Sequence, residues 1–248
     1  MGLAPLAVYL AQSGFTVSGE DEALTETVRA MLERERVAVG PVPAECDLVV
    51  CSSAIAKTHA AYAVAAARGL PLVRRGEMLA EVVRGKKLVA VCGSHGKTTT
   101  TAMLITALRG ANFSAGYVLG GLFGDGLSPA RVGSSDWVVA EIDESDGTID
   151  RFAPEMTVAV NLDWDHPDYY RQLADLEATF AALFGRTKGT VLVNDACPLS
   201  QRIAGRDARA GRPWFSFGRS GDFSGEVRED GAESMTLKLG GRFGTTEA

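Results

Sequence analysis

The segment from Leu88 to Thr100, LVAVCGSHGKTTT, constrains this chain more than any other. An apolar run with β character empties into a Gly-X-X-Gly-Lys-Thr turn, and a helix-forming stretch follows. Glycines at positions 93 and 96 let backbone N–H groups converge on an anion. The helix start then adds partial positive charge, Lys97 adds a full charge, and the Thr98 hydroxyl is a ligand for a hard cation. Strand, loop and helix in that order imply an α/β layer structure and a nucleoside triphosphate. The widespread P-loop has four residues between its first glycine and the Gly-Lys pair, and Val91 occupies that position, so the turn starts at Gly93 instead.

The rest of the chain has the same rhythm. Helix-like pieces at 3–12, 22–34, 62–68 and 77–83 alternate with strand-like pieces at 15–18, 48–51 and 70–73, as in a parallel sheet covered by helices. Arg84-Gly85-Lys86-Lys87 is a polar linker. Beyond it the pattern predicts strands at 88–92, 116–119, 137–141, 157–162 and 191–193, with helices at 98–108 and 173–183. The tail reads as three short antiparallel strands at 214–218, 225–228 and 235–239, joined by turns such as Glu229-Asp230-Gly231. The expected division is 1–85 and 86–248.

Charge and cysteine usage narrow the function classes. A net charge of −6 excludes a broad nucleic-acid-binding face, so any phosphate affinity is local. Cys46, Cys51, Cys92 and Cys197 form no CxxC pair, and Cys51 and Cys92 lie in apolar runs, which suits a reducing, cytoplasmic setting. The apolar opening at 1–10 lacks a basic leader and is too short for a membrane span; it reads as a buried helix.

Two further segments carry chemistry. Strand 137–141 ends in Glu141-Ile142-Asp143-Glu144-Ser145-Asp146, and strand 157–162 runs into Asp163-Trp164-Asp165-His166. Ligands in open α/β sheets bind beyond the carboxyl ends of strands. Carboxylate oxygens there suit Mg²⁺, which takes few protein ligands besides phosphate oxygens and water. His166 reads equally as a ligand, a phosphate contact or a loop histidine, and Asp146 as a helix cap. His95 could face phosphate or serve the turn, whereas His59 reads as a polar residue near a helix start.

Gly93-Ser94-His95-Gly96-Lys97-Thr98-Thr99-Thr100, Glu141 to Asp146 and Asn161 to His166 together resemble the ATP and metal motifs of the Mur ligases. These are the ATP-dependent amide-forming enzymes of bacterial peptidoglycan synthesis. Val17 to Asp21, Ser52-Ser53-Ala54-Ile55 and Arg74 to Leu79 resemble the UDP-sugar domain of the branch that adds L-alanine to UDP-N-acetylmuramate. The resemblance implies a Rossmann-like amino-terminal domain followed by a P-loop-type central ATPase domain. It implies that Gly93 to Thr99 bind ATP, that Lys97, Glu141 and His166 are catalytic, and that Asp21, Ser52 and Ser53 bind substrate. Thr98 and Glu141 would hold one Mg²⁺, and Glu141 and His166 a second. Several relatives carry a carbamylated lysine after the metal histidine; no lysine lies between His166 and Lys188, as in the alanine-adding branch.

The alternatives are a ligase that attaches a tripeptide to the same UDP-sugar and a non-catalytic nucleotide-binding module. A P-loop kinase or GTPase is disfavoured, since there is no full P-loop and no Asn-Lys-X-Asp signature. Family members open with a strand and Gly-rich turn before the segment matching 1–10, and they continue past Ala248. The expectation is therefore an incomplete copy, lacking the first strand and the carboxy-terminal domain and with little turnover alone.

Overall fold

A computed structural model describes residues 2–247 except 165–168, 209, 210, 212, 232, 233 and 245. In chain order, α1 (Ala4–Gln12), β1 (Ser18–Gly19), α2 (Glu26–Arg34), β2 (Ala38–Val39), β3 (Val49–Cys51), α3 (Ala60–Arg68), β4 (Leu72–Arg74) and α4 (Arg75–Val82) precede the nucleotide-loop strand. That strand is β5 (Lys87–Cys92), followed by α5 (Lys97–Gly110), β6 (Gly116–Val118), β7 (Ala130–Arg131), β8 (Trp137–Glu141) and β9 (Met156–Ala159). The chain closes with α6 (Leu173–Arg186), β10 (Thr190–Asn194), α7 (Pro198–Ala208), β11 (Trp214–Gly218), β12 (Phe223–Asp230), β13 (Met235–Gly241) and β14 (Thr246–Glu247). Two compact units result: residues 1–88 with 98–141, and residues 89–97 with 142–248.

In the first unit β1 pairs with β2 and β3 with β4, both parallel, and β6 lies between parallel β8 and antiparallel β7. Local chemistry sets the helix ends. Thr25 accepts from the Val28 N–H, so α2 starts at Glu26 rather than at residue 22, and it buries Val28, Met31 and Leu32. His59 is the N-cap of α3, its Nδ1 accepting from Ala61 N–H at 3.2 Å, and Gly69 ends that helix at φ 64°. The strand expected at 15–18 shrinks to Ser18–Gly19, because Phe15 stays exposed and contributes no buried face. Gln12 lies along β7 as a neighbouring strand would: Nε2 donates to Ala130 O at 3.4 Å and Oε1 accepts from Val132 N at 3.1 Å. This blunts an otherwise open edge.

In the second unit the strand order is β14-β13-β12-β11-β10-β9-β5. From β5 to β12 the pairings are parallel, while β12·β13 and β13·β14 are antiparallel. The all-antiparallel tail is thus corrected at its first strand. β11 pairs with β10 at four positions, and α7 is the crossover that a parallel pair requires. The sequence pattern missed α7 because only a short stripe, Ser200, Ile203 and Ala204, is buried in a segment also holding Gly205 and Asp207. β5 from Leu88 to Cys92 is wholly buried, which is why it reads as a continuous apolar run rather than an alternating one. Among the described residues, no helix is long and apolar enough to cross a membrane.

Candidate functional site

The loop leaving β5 is shaped by glycine. Gly93 has φ 128°, and a Cβ there would fall on the main-chain carbonyl of Asn161. Gly96 has φ 79°, and among the described residues a Cβ there would meet only Val160 Cγ1, at 3.4 Å. The first position needs glycine for conformation and space, the second for conformation alone.

Residues 161–163 run beside this loop and bind it at several points. Ser94 N–H donates to Asn161 O at 3.1 Å, and His95 N–H donates to Asn161 Oδ1 at 2.9 Å. Asn161 Nδ2 returns a bond to His95 O at 3.1 Å. The Ser94 hydroxyl donates to Asp163 O and accepts from Asp163 N–H, both at 2.9 Å. Behind this segment the buried Cys197 thiol accepts from Leu162 N–H at 3.3 Å. Expected convergence of loop N–H groups on an anion is therefore narrowed: those of Ser94 and His95 already have partners. By helix geometry the N–H groups of the first turn of α5 have no acceptor within the helix.

Lys97 and Thr98 each anchor a side-chain cluster, the first in the second unit and the other in the first unit. In the second unit Lys97 Nζ donates to Gly93 O at 2.7 Å and meets Glu144 Oε2 at 3.4 Å. Glu144 is 1% exposed; burial pushes its carboxyl above the usual range, with Lys97 pulling the other way. The Tyr170 hydroxyl donates to Glu144 O at 2.8 Å. The neighbouring Cys92 thiol is raised by burial and by the Glu144 charge, which makes it an inert apolar filler rather than a nucleophile.

In the first unit the Thr98 hydroxyl donates to Glu141 Oε2 at 2.8 Å. Glu141 is the last residue of β8 and is 8% exposed. Its carboxylate occupies the space where a Cβ on Gly120 would stand, and Gly121 likewise makes room for the Thr98 methyl. The glycine pair after β6 thus clears a notch for one carboxylate and one hydroxyl. Two hard oxygen donors in such a notch fit Mg²⁺, which asks little more of a protein. Among the described residues no group of three His, Cys, Asp or Glu side chains gathers as a metal cluster.

Other anticipated residues are placed as follows. His95 and Thr99 are exposed, and His166 lies outside the described residues. Asp143 Oδ1 accepts from Ser145 N–H and Oγ, and Asp146 Oδ1 from Thr148 N–H and Oγ1, so both fold the acidic turn onto itself. Asp21 follows β1 and accepts from Ala23 N–H at 2.9 Å, while Ser52 follows β3 and accepts from Ala54 N–H at 3.2 Å. Ser53 is exposed in the same turn. Sequence reasoning assigned no role to Glu144 as partner of Lys97 or to Asn161 as partner of the loop. The available signal was polar residues directly after buried strands.

The profile of the Mur ligase middle domain matches residues 91–241, and that of the Mur ligase family catalytic domain matches residues 1–87. The UDP-N-acetylmuramate–L-alanine ligase of Methylobacterium nodulans is 38% identical over 186 residues, 73% of this chain and 40% of that protein. Across the first eight such relatives the chain spans 38–49% of their length. Among solved structures, UDP-N-acetylmuramate-alanine ligase from Thermotoga maritima superposes with a TM-score of 0.83 at 24% identity, covering 99% of this chain and 58% of that one. A UDP-N-acetylmuramate:L-alanyl-γ-D-glutamyl-meso-diaminopimelate ligase from Neisseria meningitides gives 0.80 at 22% identity, covering 98% and 82%. These structural likenesses speak for the fold.

Proposed function

Because the chain belongs to the Mur ligase family, we propose that it carries the UDP-sugar and nucleotide-phosphate parts of an ATP-dependent ligase. That ligase joins L-alanine to UDP-N-acetylmuramate in peptidoglycan precursor synthesis, in the cytoplasm. Residues 1–85 are assigned to the UDP-sugar domain, with Asp21, Ser52 and Ser53 at the ends of parallel strands, and residues 86–248 to the ATP-binding domain. The identity of the alanine-adding relatives supports this branch over the tripeptide-adding one.

The observation that carries the reading is the Lys97 ammonium group held by Gly93 O and Glu144 at the end of the glycine loop; within the first unit the hydroxyl of the next residue, Thr98, is held by Glu141. In the proposed reaction a muramate carboxylate oxygen takes the γ-phosphoryl group of ATP, releasing ADP. The alanine amine then adds to the acyl carbon, a proton is lost, and phosphate leaves as the amide forms. A carboxylate is a poor electrophile and both reactants are anions, so charge compensation is the chief need. Lys97 supplies it as a fixed cation, and Gly93 to Thr99 shape the phosphate site. Thr98 and Glu141 would hold Mg²⁺, with His166 on a second ion; bound there, Mg²⁺ would screen the phosphate charges. No side-chain nucleophile is required.

Calorimetric titration of Mg²⁺-ATP into the chain and into Lys97→Ala tests the assignment. Binding by the native sequence, weakened about ten-fold or more in the variant, is expected for loss of a charge-assisted phosphate contact. Equal affinity in both would remove Lys97 from the site.

A further inference from the structure

The Asn161 carboxamide meets His95 as one peptide group meets another in a β-ladder: its oxygen accepts the residue's N–H at 2.9 Å and its nitrogen donates to the same residue's carbonyl at 3.1 Å. This two-point match fixes the amide's orientation, because a flipped amide would set donor against donor and acceptor against acceptor. The main chain of Asn161 also accepts from Ser94 N–H at 3.1 Å and leaves no room for a side chain at residue 93. All of these groups belong to the second unit.

A loop rich in glycine loses much conformational entropy on ordering, and a ligand that must order it binds more weakly. Here the cost is met by the chain itself. We propose that Asn161 is a positioning residue for nucleotide binding, holding the loop at His95 so that Lys97 is presented to phosphate before it arrives. The proposal rests on the phosphate-site reading above. It assigns Asn161 no contact with substrate; the residue acts through His95 and Ser94.

A carboxylic acid reproduces the carboxamide's donor and acceptor only when protonated, which yields a test within one folded protein. Mg²⁺-ATP is titrated into the native chain, Asn161→Ala and Asn161→Asp between pH 8 and pH 4.5, close enough to the ordinary range of an aspartic acid for a substantial share to be protonated, with thermal denaturation alongside. Asn161→Ala is expected to weaken affinity about ten-fold at every pH, the scale of one lost two-point interaction. Asn161→Asp should be weaker still at pH 8, where its carboxylate opposes the His95 carbonyl and the anion. As pH falls it should recover relative to the native chain and come to bind more tightly than Asn161→Ala. Affinity of Asn161→Ala within two-fold of native overturns the proposal. So does an Asn161→Asp variant that recovers only to the level of Asn161→Ala, because that pattern is charge repulsion without positioning. Absence of binding to the native chain would instead overturn the phosphate-site reading, and this proposal with it.

Discussion

Replacing Gly93 by alanine tests the architecture of the loop at its tightest point. Two costs add. At φ 128° an L side chain is strained by about 1–3 kcal/mol, in a region that is essentially glycine's own. The new methyl would also meet the Asn161 carbonyl, with Asn161 N only 3.0 Å away; both are backbone atoms of a residue whose carbonyl accepts from Ser94 N–H and whose side-chain amide is bonded to His95. Relief requires those bonds to move, and forcing extra atoms into packed surroundings costs about 1–3 kcal/mol more. The sum, about 2–6 kcal/mol, corresponds to a fall in melting temperature of roughly 5–20 °C for a chain of this size. Gly96→Ala is the internal control. It shares a positive φ of 79° but meets only Val160 Cγ1 at 3.4 Å, so the strain stands alone at about 1–2 kcal/mol. Thermal and urea denaturation of the two variants measure the difference. If Gly93→Ala were no less stable than Gly96→Ala, the close approach of residues 93 and 161 would not exist as described.

Gly120→Ala should leave the fold intact but push the Glu141 carboxylate away from Thr98, since the side chain can turn where backbone cannot. The expected outcome is loss of the Mg²⁺ dependence of nucleotide affinity, measured by titrating ATP with and without the ion; an unchanged dependence would detach this notch from metal. Glu144 gives a pH signature. Its folded pKa lies above its ordinary 4.5, so between those values the folded state holds more proton than the unfolded state, and stability falls as pH rises through that window. Glu144→Gln should flatten that fall in melting temperature against pH, and identical slopes in the two proteins would rule out the buried carboxyl as its source.

The strand–loop–helix unit from Leu88 to Thr100 was legible because its causes are local. A buried strand shows as an unbroken apolar run, a tight turn shows its glycines, and Lys97 and Thr98 are fixed by adjacency to the helix start. β8 and β11 were read to the residue for the same reason, each an apolar or aromatic run with a clear stop. His59 was legible as a helix-start residue, and it caps α3. Boundaries slipped where a side chain decided them, as Thr25 does for α2, or where a short buried stripe was diluted by small and polar residues, as in α7.

The sequence by itself determined the α/β class, the parallel habit of its strands, the phosphate-type loop and the acidic strand end that accompanies it. Tertiary structure alone decided what those parts touch. Asn161 reaches His95 across 66 residues, Lys97 meets Glu144 across 47, and Thr98 meets Glu141 across 43. Gly120 matters only because Glu141 fills the space it leaves. Such pairings come from strand order, and periodicity along a chain carries no information about which strand becomes the neighbour of which. The candidate site residues are legible locally, whereas those that hold them in place become visible only once folding has brought distant strand ends together.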